Sequence, residues 1–284
     1  MDSSQAPHST STREIPAGLE LSVVVPIYNE AENIGELYRE IREALEGRRF
    51  EVLFVDDGST DGSDVIIKRL EEGTPEVRGV FFGGNRGQTA AMLAGCLRAA
   101  APLVATMDGD RQNDPADLPR LLDALGDRDA IVGMRAKRRD TAVRRISSKL
   151  ANRIRNLLTG DTITDTGCSL KLFRREAIFA VPRFEGLHRF LPTLMRYAGF
   201  EVAELAVNHC ARSMGTSKYG IWNRLPRATL DMLAVCWMRW RWTDLSATVA
   251  ERVSPVPPAP LVGERAPNET DVAEPSGRET TATP

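Results

Sequence analysis

The sequence predicts an α/β fold in which a mostly parallel sheet carries helices on both faces, and three observations predict it. Short apolar runs alternate with stretches of helical periodicity between residues 21 and 133. The runs are almost continuously apolar and rich in β-branched residues, as strands covered on both faces are. Each run ends in a knot of polar residues or glycines, and ligands of such sheets bind at the carboxyl ends of the strands.

LSVVVP at 21–26 is the first strand. Asn29 is placed to cap the next helix, whose apolar stripe is Ile34, Leu37, Ile41 and Leu45. FEVLFV at 50–55 is the second strand and runs into Asp56-Asp57-Gly58-Ser59. A capped helix is expected from Asp61 to Leu70, a third strand at VRGVFF (77–82), and an Ala- and Leu-rich helix from Thr89 to Ala101. LVATM at 103–107 is the fourth strand; Asp114-Pro115 then opens a helix with proline at its first position. AIVG at 130–133 is the fifth strand. The polar knots are Tyr28-Asn29-Glu30, Asp56-Asp57, Gly83-Gly84-Asn85-Arg86-Gly87, Asp108-Gly109-Asp110 and Arg135, all at strand ends.

Composition bounds the rest. The 284 residues are 42% hydrophobic and 27% charged, with a net charge of −2, which gives no global pull toward nucleic acid. Cys96, Cys168, Cys210 and Cys236 lack metal-ligand spacing and read as reduced thiols. The first residues, MDSSQAPHSTSTREIPAG, hold no apolar core of a signal peptide, and no apolar run reaches the ~18 residues a transmembrane helix needs. A cytoplasmic protein is expected. Segment 1–18 and the Pro-, Glu- and Thr-rich tail 243–284 are expected to be disordered, leaving a body at 19–220 and a helix at 221–242.

The chemistry concentrates at DGDRQNDPAD (108–117), where two carboxylates flank a glycine. Carboxylates so close repel unless a positive charge sits among them. Asp108 and Asp110, with the carbonyl oxygen of Gln112, are hard oxygen donors suited to Mg²⁺ or Mn²⁺, and Asp114 reads as a helix cap. Asp57 is placed to accept hydrogen bonds from a base or ribose. GGNRGQ (83–88) is neither a Walker A loop nor GxGxxG, which argues against hydride transfer.

VVVPIYNEAENI, VLFVDDGSTDGS, NRGQTAAMLAG and MDGDRQNDPADLP, in this order, resemble the successive motifs of a family 2 glycosyltransferase with the GT-A fold, a Rossmann-like nucleotide-sugar-binding domain. TGDTITDTGCSLKLFRREAI, GLHRFLPTL and RSMGTSKYGIWNRL resemble its polyprenyl-phosphate branch, which includes dolichyl-phosphate mannose synthase, polyprenyl-phosphate glucosyltransferases and aminoarabinose-type transferases. The likeness spans about 21–230. It implies that Pro26, Tyr28, Glu30 and Asp57 contact the nucleotide, and that Asp108, Asp110 and Gln112 hold a divalent metal and the diphosphate. It implies further that Arg135, Thr166 and Ser169 bind the acceptor phosphate, while Arg212 and Lys218 lie on a lid over the diphosphate. Arg111 departs from the leucine usual in that family; His188 and Arg189 stand between a packing and a site role, and His209 reads as structural.

The expected reaction is inverting, metal-dependent transfer of a hexose from GDP-mannose or UDP-glucose to a polyprenyl phosphate, giving a β-linked product. A lipid acceptor calls for membrane contact. On a helical wheel Trp222, Leu225, Thr229, Leu233, Cys236 and Trp240 share one face of 221–242, with Arg224, Arg227 and Asp231 opposite. Lys137-Arg138-Arg139 and Arg144-Arg145 add attraction to anionic headgroups. A peripheral enzyme on the cytoplasmic face, or one with a small transmembrane partner, follows. Transfer to a glycan or small-molecule hydroxyl, and a silent nucleotide-sugar-binding scaffold, are the alternatives.

Overall fold

A computed structural model of the protein describes residues 18–135, 155–210 and 221–243, with 221–228 as backbone only. The expected disorder at both ends, the basic run 137–145, Arg212, Lys218 and the side chains of Trp222, Arg224, Leu225 and Arg227 lie outside the described residues.

The five expected strands form: β1 (Leu21–Ile27), β2 (Phe50–Asp56), β3 (Val77–Phe81), β4 (Leu103–Thr106) and β5 (Ala130–Arg135). Between them lie α1 (Ala31–Ala44), α2 (Ser63–Gly73), α3 (Gln88–Arg98) and α4 (Asp117–Leu125). Two further strands follow, β6 (Lys171–Arg174) and β7 (Val202–Val207), with helix α5 (Leu187–Tyr197) between them and α6 (Ile221–Arg241) after them.

The seven strands make one sheet in the order β3-β2-β1-β4-β6-β5-β7. β1, β2, β3 and β4 pair in parallel, as do β5 and β7. Only β6 runs the other way, antiparallel to both β4 and β5. That reversal brings the start of β6 to the edge where the parallel strands end, with Lys171 opposite Thr106 of β4 and Val132 of β5.

Alternation along β1 shows why helices cover both faces. Val23, Val25 and Ile27 join one core with Ile34, Leu37 and Ile41 of α1 and Leu118 and Leu121 of α4. Val24 joins the other, with Ala91, Met92 and Cys96 of α3, Leu191 and Leu194 of α5, and Val235 of α6.

Two helix starts differ from expectation. Asn29 does not cap α1: it sits at φ 53, and its side-chain oxygen accepts from the Thr60 amide at 2.7 Å. Glu30 takes the cap position, and the free amides are met across space, Ala31 by Asp61 Oδ2 (3.0 Å) and Glu30 by Ser63 Oγ (3.1 Å). Asp61 also accepts from the Ser63 amide, so one carboxylate serves the start of both α1 and α2. Pro115 lies before α4 rather than in it. The turn at Asp114 is closed by its own Oδ1 accepting from Ala116, and the helix begins at Asp117.

α6 corrects the expected wheel. Val235 is buried, and Met232, Met238 and Trp242 pack on the core. Leu230, Leu233, Trp237 and Trp240 form the outer stripe, 65, 54, 61 and 84% exposed. Leu233 and Trp240 are where they were expected, whereas Cys236 is half-buried and Asp231 turns toward Arg189 of α5 (3.9 Å). No helix among the described residues is long and apolar enough to cross a membrane.

Candidate active site

A cavity of about 380 Å³ opens at the strand-end edge, between the turn after β4 and the turn before β6. Asp108, Asp110 and Gln112 line one side; Thr166, Gly167 and Ser169 line the other, with Lys171, His188 and Arg189 completing the wall.

The first turn packs closely on β1, and glycine at its centre leaves room for that approach. A Cβ on Gly109 would stand 2.6 Å from Ile27 Cδ1 and 3.2 Å from the Pro26 carbonyl oxygen. Asp110 Oδ1 accepts from the Gln112 amide at 3.2 Å, and Asp108 Oδ1 accepts from Gln88 Nε2 at 2.8 Å. Arg111, at φ 59, points away from the cavity and pairs with Glu40 and, at 3.6 Å, with Glu36 of α1. The departure from leucine therefore ties the loop to α1 rather than charging the cavity. The other side of the loop is fixed to the chain after β7, where the Cys210 amide donates to the Gln112 carbonyl (2.9 Å) and Asn113 bridges His209.

Asn113 couples the two turns. Its buried Oδ1 accepts from the Asp108 amide (3.1 Å) and from Ser169 Oγ (2.7 Å), while Thr106 Oγ1 donates to the Ser169 carbonyl (2.8 Å). Arg135 braces the second turn from behind. Its guanidinium meets Asp165 through two bonds of 2.7 and 2.8 Å, and this paired carboxylate raises the arginine above its ordinary range. Thr166 Oγ1 accepts from the buried Arg155, whose own charge burial disfavours.

Asp57 is 3% exposed, and its two oxygens accept from the amides of Arg86 (2.6 Å) and Gly87 (2.8 Å). It therefore clamps the 83–88 loop onto the end of β2. Gly58 permits the contact, since a Cβ there would stand 2.6 Å from Gly84 Cα. Asp56 turns inward to the Ser59 amide (3.3 Å), and burial raises its carboxyl above the usual range.

Of the residues expected at the site, Pro26, Asp108, Asp110, Gln112, Thr166 and Ser169 share the cavity, joined by His188 and Arg189. Tyr28, Glu30, Asp57 and Arg135 do not reach its wall. Glu30 bonds Asn33 Nδ2 at 2.7 Å, and Asp57 and Arg135 serve as braces. Gln88, Asn113 and Lys171 lie within the quoted motifs but had no role assigned there; tertiary pairing reveals what they contact.

The donors fit a divalent ion of the Mg²⁺ or Mn²⁺ kind. Two carboxylates and an amide oxygen face one cavity, whereas no group of three or more His, Cys, Asp or Glu converges among the described residues. Such ions are commonly held by one or two carboxylates plus substrate phosphates, so this donor set suits a shared ion rather than a caged one.

Residues 22–179 match the family model described as glycosyl transferase family 2. The chain is 41% identical over 240 residues to a dodecaprenyl-phosphate galacturonate synthase of Rhizobium johnstonii, across 81% of this chain and 70% of that protein. It is 35% identical over 203 residues to an undecaprenyl-phosphate 4-deoxy-4-formamido-L-arabinose transferase of Salmonella paratyphi B, across 70% of this chain and 62% of that protein. Among solved structures it is similar to glucosyl-3-phosphoglycerate synthase from Mycobacterium tuberculosis in complex with Mn²⁺, UDP and phosphoglyceric acid. The TM-score is 0.59 at 18% identity, over 80% of this chain and 81% of that one. A mannosyltransferase from Pyrobaculum calidifontis in complex with GDP-Man and Mn²⁺ gives a TM-score of 0.56 at 21% identity, over 78% and 64% of the two chains. These structures share the fold, a mixed sheet flanked by helices.

Proposed function

The chain belongs to glycosyl transferase family 2, and on that premise we propose that it transfers a sugar from a nucleotide sugar to a polyprenyl phosphate at a membrane surface, inverting the anomeric centre. One observation carries this reading: the carboxylate turn and the hydroxyl-and-glycine turn line a single cavity and are joined through Asn113. A donor diphosphate at Asp108 and Asp110 and an acceptor phosphate at Thr166, Gly167 and Ser169 would then meet within it.

In the reaction the bond from the anomeric carbon to the diphosphate breaks, and the nucleotide diphosphate leaves with the electron pair. A phosphate oxygen of the acceptor forms the new bond. When bound, the divalent ion supplies positive charge to the diphosphate oxygens. The chain's own part is positioning. Asp57 holds the 83–88 loop, Asn113 fixes the spacing of the two turns, and Arg135 sets the acceptor turn through Asp165. Arg212 and Lys218 are assigned to closure over the diphosphate. A phosphate monoester has its second pKa near about 6, so near neutral pH the acceptor arrives largely as a dianion and no aspartate has to take its proton.

The outer stripe of α6 supports membrane contact. Leu230, Leu233, Trp237 and Trp240 lie exposed along one line, with the exposed Arg241 at the end of the helix. The four free thiols fit a reducing compartment, hence the cytoplasmic face. The names of the two relatives extend the donor range beyond mannose and glucose to galacturonate and a formamido-arabinose.

The test is transfer of labelled sugar into organic-extractable undecaprenyl phosphate, from GDP-mannose, UDP-glucose and UDP-galacturonate, with Mn²⁺ or Mg²⁺. One donor is expected to label the lipid, with label lost on adding EDTA and reduced at least about 100-fold by Asp110→Ala. Donor consumption without lipid label would replace the acceptor with a soluble hydroxyl. Nucleotide binding without turnover would make the chain a scaffold.

A further inference from the structure

Lys171 is the one lysine or arginine of the cavity wall that forms no ion pair among the described residues. It is 4% exposed, on the first residue of β6, and its Nζ donates to the backbone carbonyl of Cys168. No carboxylate lies within ion-pairing reach of it among the described residues. Asp108 and Asp165 act on it only from beyond that distance; Asp165 is already paired with the doubly bonded Arg135, and Asp108 accepts from the neutral Gln88 Nε2. A buried ammonium without a counter-ion is costly, and lysines are seldom so deeply buried unless paired.

Geometry says where the missing anion goes. Lysine carries three N–H donors, and Cys168 accounts for one. The others belong to a group that forms part of the cavity wall, next to the 165–169 turn and within electrostatic reach of Asp108. Arg135 lies behind that turn and is neutralised by Asp165; Arg189 is drawn toward Asp231 of α6. Burial holds the Lys171 ammonium below the ordinary lysine range, the direction expected of a site that favours its charge only once an anion arrives.

We propose that Lys171 binds the phosphate of the acceptor, a lipid phosphate monoester, as the counter-ion the cavity lacks. The proposal rests on reading this cavity as the transfer site. It separates two phosphate sites by their positive charge: the donor diphosphate belongs to the Asp108 and Asp110 side, and the acceptor monophosphate to Lys171. A lysine suits the second task, because a compact charge on a flexible stem tolerates a phosphate that must move toward the sugar as the bond forms.

The experiment uses the full chain with farnesyl phosphate as probe, farnesol as its uncharged control, and UDP with Mn²⁺ as the donor-side probe, all by calorimetry. Lys171→Met is expected to weaken farnesyl phosphate binding about 10- to 100-fold, as loss of a charged hydrogen bond does. UDP affinity and farnesol binding stay within about twofold, while Lys171→Arg keeps part of the phosphate affinity. The unliganded Met variant should melt no lower than wild type, since it removes a buried charge. Unchanged farnesyl phosphate affinity in Lys171→Met, or an equal loss of UDP affinity, would overturn the assignment; so would a lower melting point with both affinities intact. Should the Met variant not fold, Lys171→Gln is read by the same criteria. Wild type that binds farnesyl phosphate through Lys171 but transfers no sugar would overturn the transfer reading and leave Lys171 as a lipid-phosphate-binding residue only.

Discussion

Single residues in this site divide by where their hydrogen-bonding capacity goes. Asp108 and Asp110 keep part of it for the cavity, whereas Asp57 gives both oxygens to the Arg86 and Gly87 amides and Arg135 gives two donors to Asp165. Asp57→Asn replaces one acceptor with a donor facing an amide, so a stability loss of about 1–3 kcal/mol is expected, with weaker nucleotide binding following from a loosened loop. Calorimetric melts and UDP titrations check both; unchanged melting would show that the loop holds itself. Paired carboxylates at a strand end made Asp108, Asp110 and Gln112 legible as cavity residues, whereas Thr166 and Ser169, which line the same cavity, came only from the family resemblance. Sequence misassigned the surroundings of Asp57, since a carboxylate that clamps a glycine-rich loop and one that faces a ribose carry the same letters. Lys171 was silent for another reason: a lone lysine in a short strand looks like an edge residue until its neighbours are known.

At the scale of elements, β1 to β5 and α1 to α4 were readable because β1, β2, β4 and β5 are buried over most of their length, β3 is a short apolar run at the sheet edge, and the helices carry apolar stripes. β6 was not, since four residues, Lys171 to Arg174, give too little pattern to find, and their direction depends wholly on β4 and β5. β7 reads VAELAV, with a glutamate at Glu204 that accepts from the Thr164 and Asp165 amides, so its polar position serves the acceptor turn rather than solvent. α6 was readable as amphipathic but its outer face was turned, because the wheel placed the apolar residues without knowing that Val235 docks on the core. The resulting prediction belongs to this helix. Trp237→Ser with Trp240→Ser should lower binding to anionic phosphatidylglycerol vesicles by roughly tenfold or more, given about 1.5–3 kcal/mol for each large apolar side chain withdrawn. UDP binding should not change. Sedimentation of the double variant with vesicles as efficiently as wild type would remove α6 from the membrane.

Across the whole molecule, the mixed sheet sorts the two sides of the cavity. The chain up to β4 supplies the carboxylate turn and the 83–88 loop; β5, β6 and the segment before β6 supply the acceptor turn and its cations. The alternation of strands and helices announced this architecture, but the order β4-β6-β5-β7 rests on pairings between residues far apart in sequence. The β4–β6 ladder, from Leu103 opposite Arg174 to Thr106 opposite Lys171, stitches the two halves together directly beneath the cavity. A stitched seam has a mechanical consequence. Enzymes that swallow a substrate by folding two lobes together need a pliable joint between them, and here that joint is a continuous sheet. Spin labels at positions 68 and 201, one on each side of the seam, should therefore keep their separation within about 1 Å when donor and metal bind. A longer excursion would mean that the ladder slips. Held rigid, the floor cannot clap shut, and any closing of the cavity has to come without a change in the sheet beneath it.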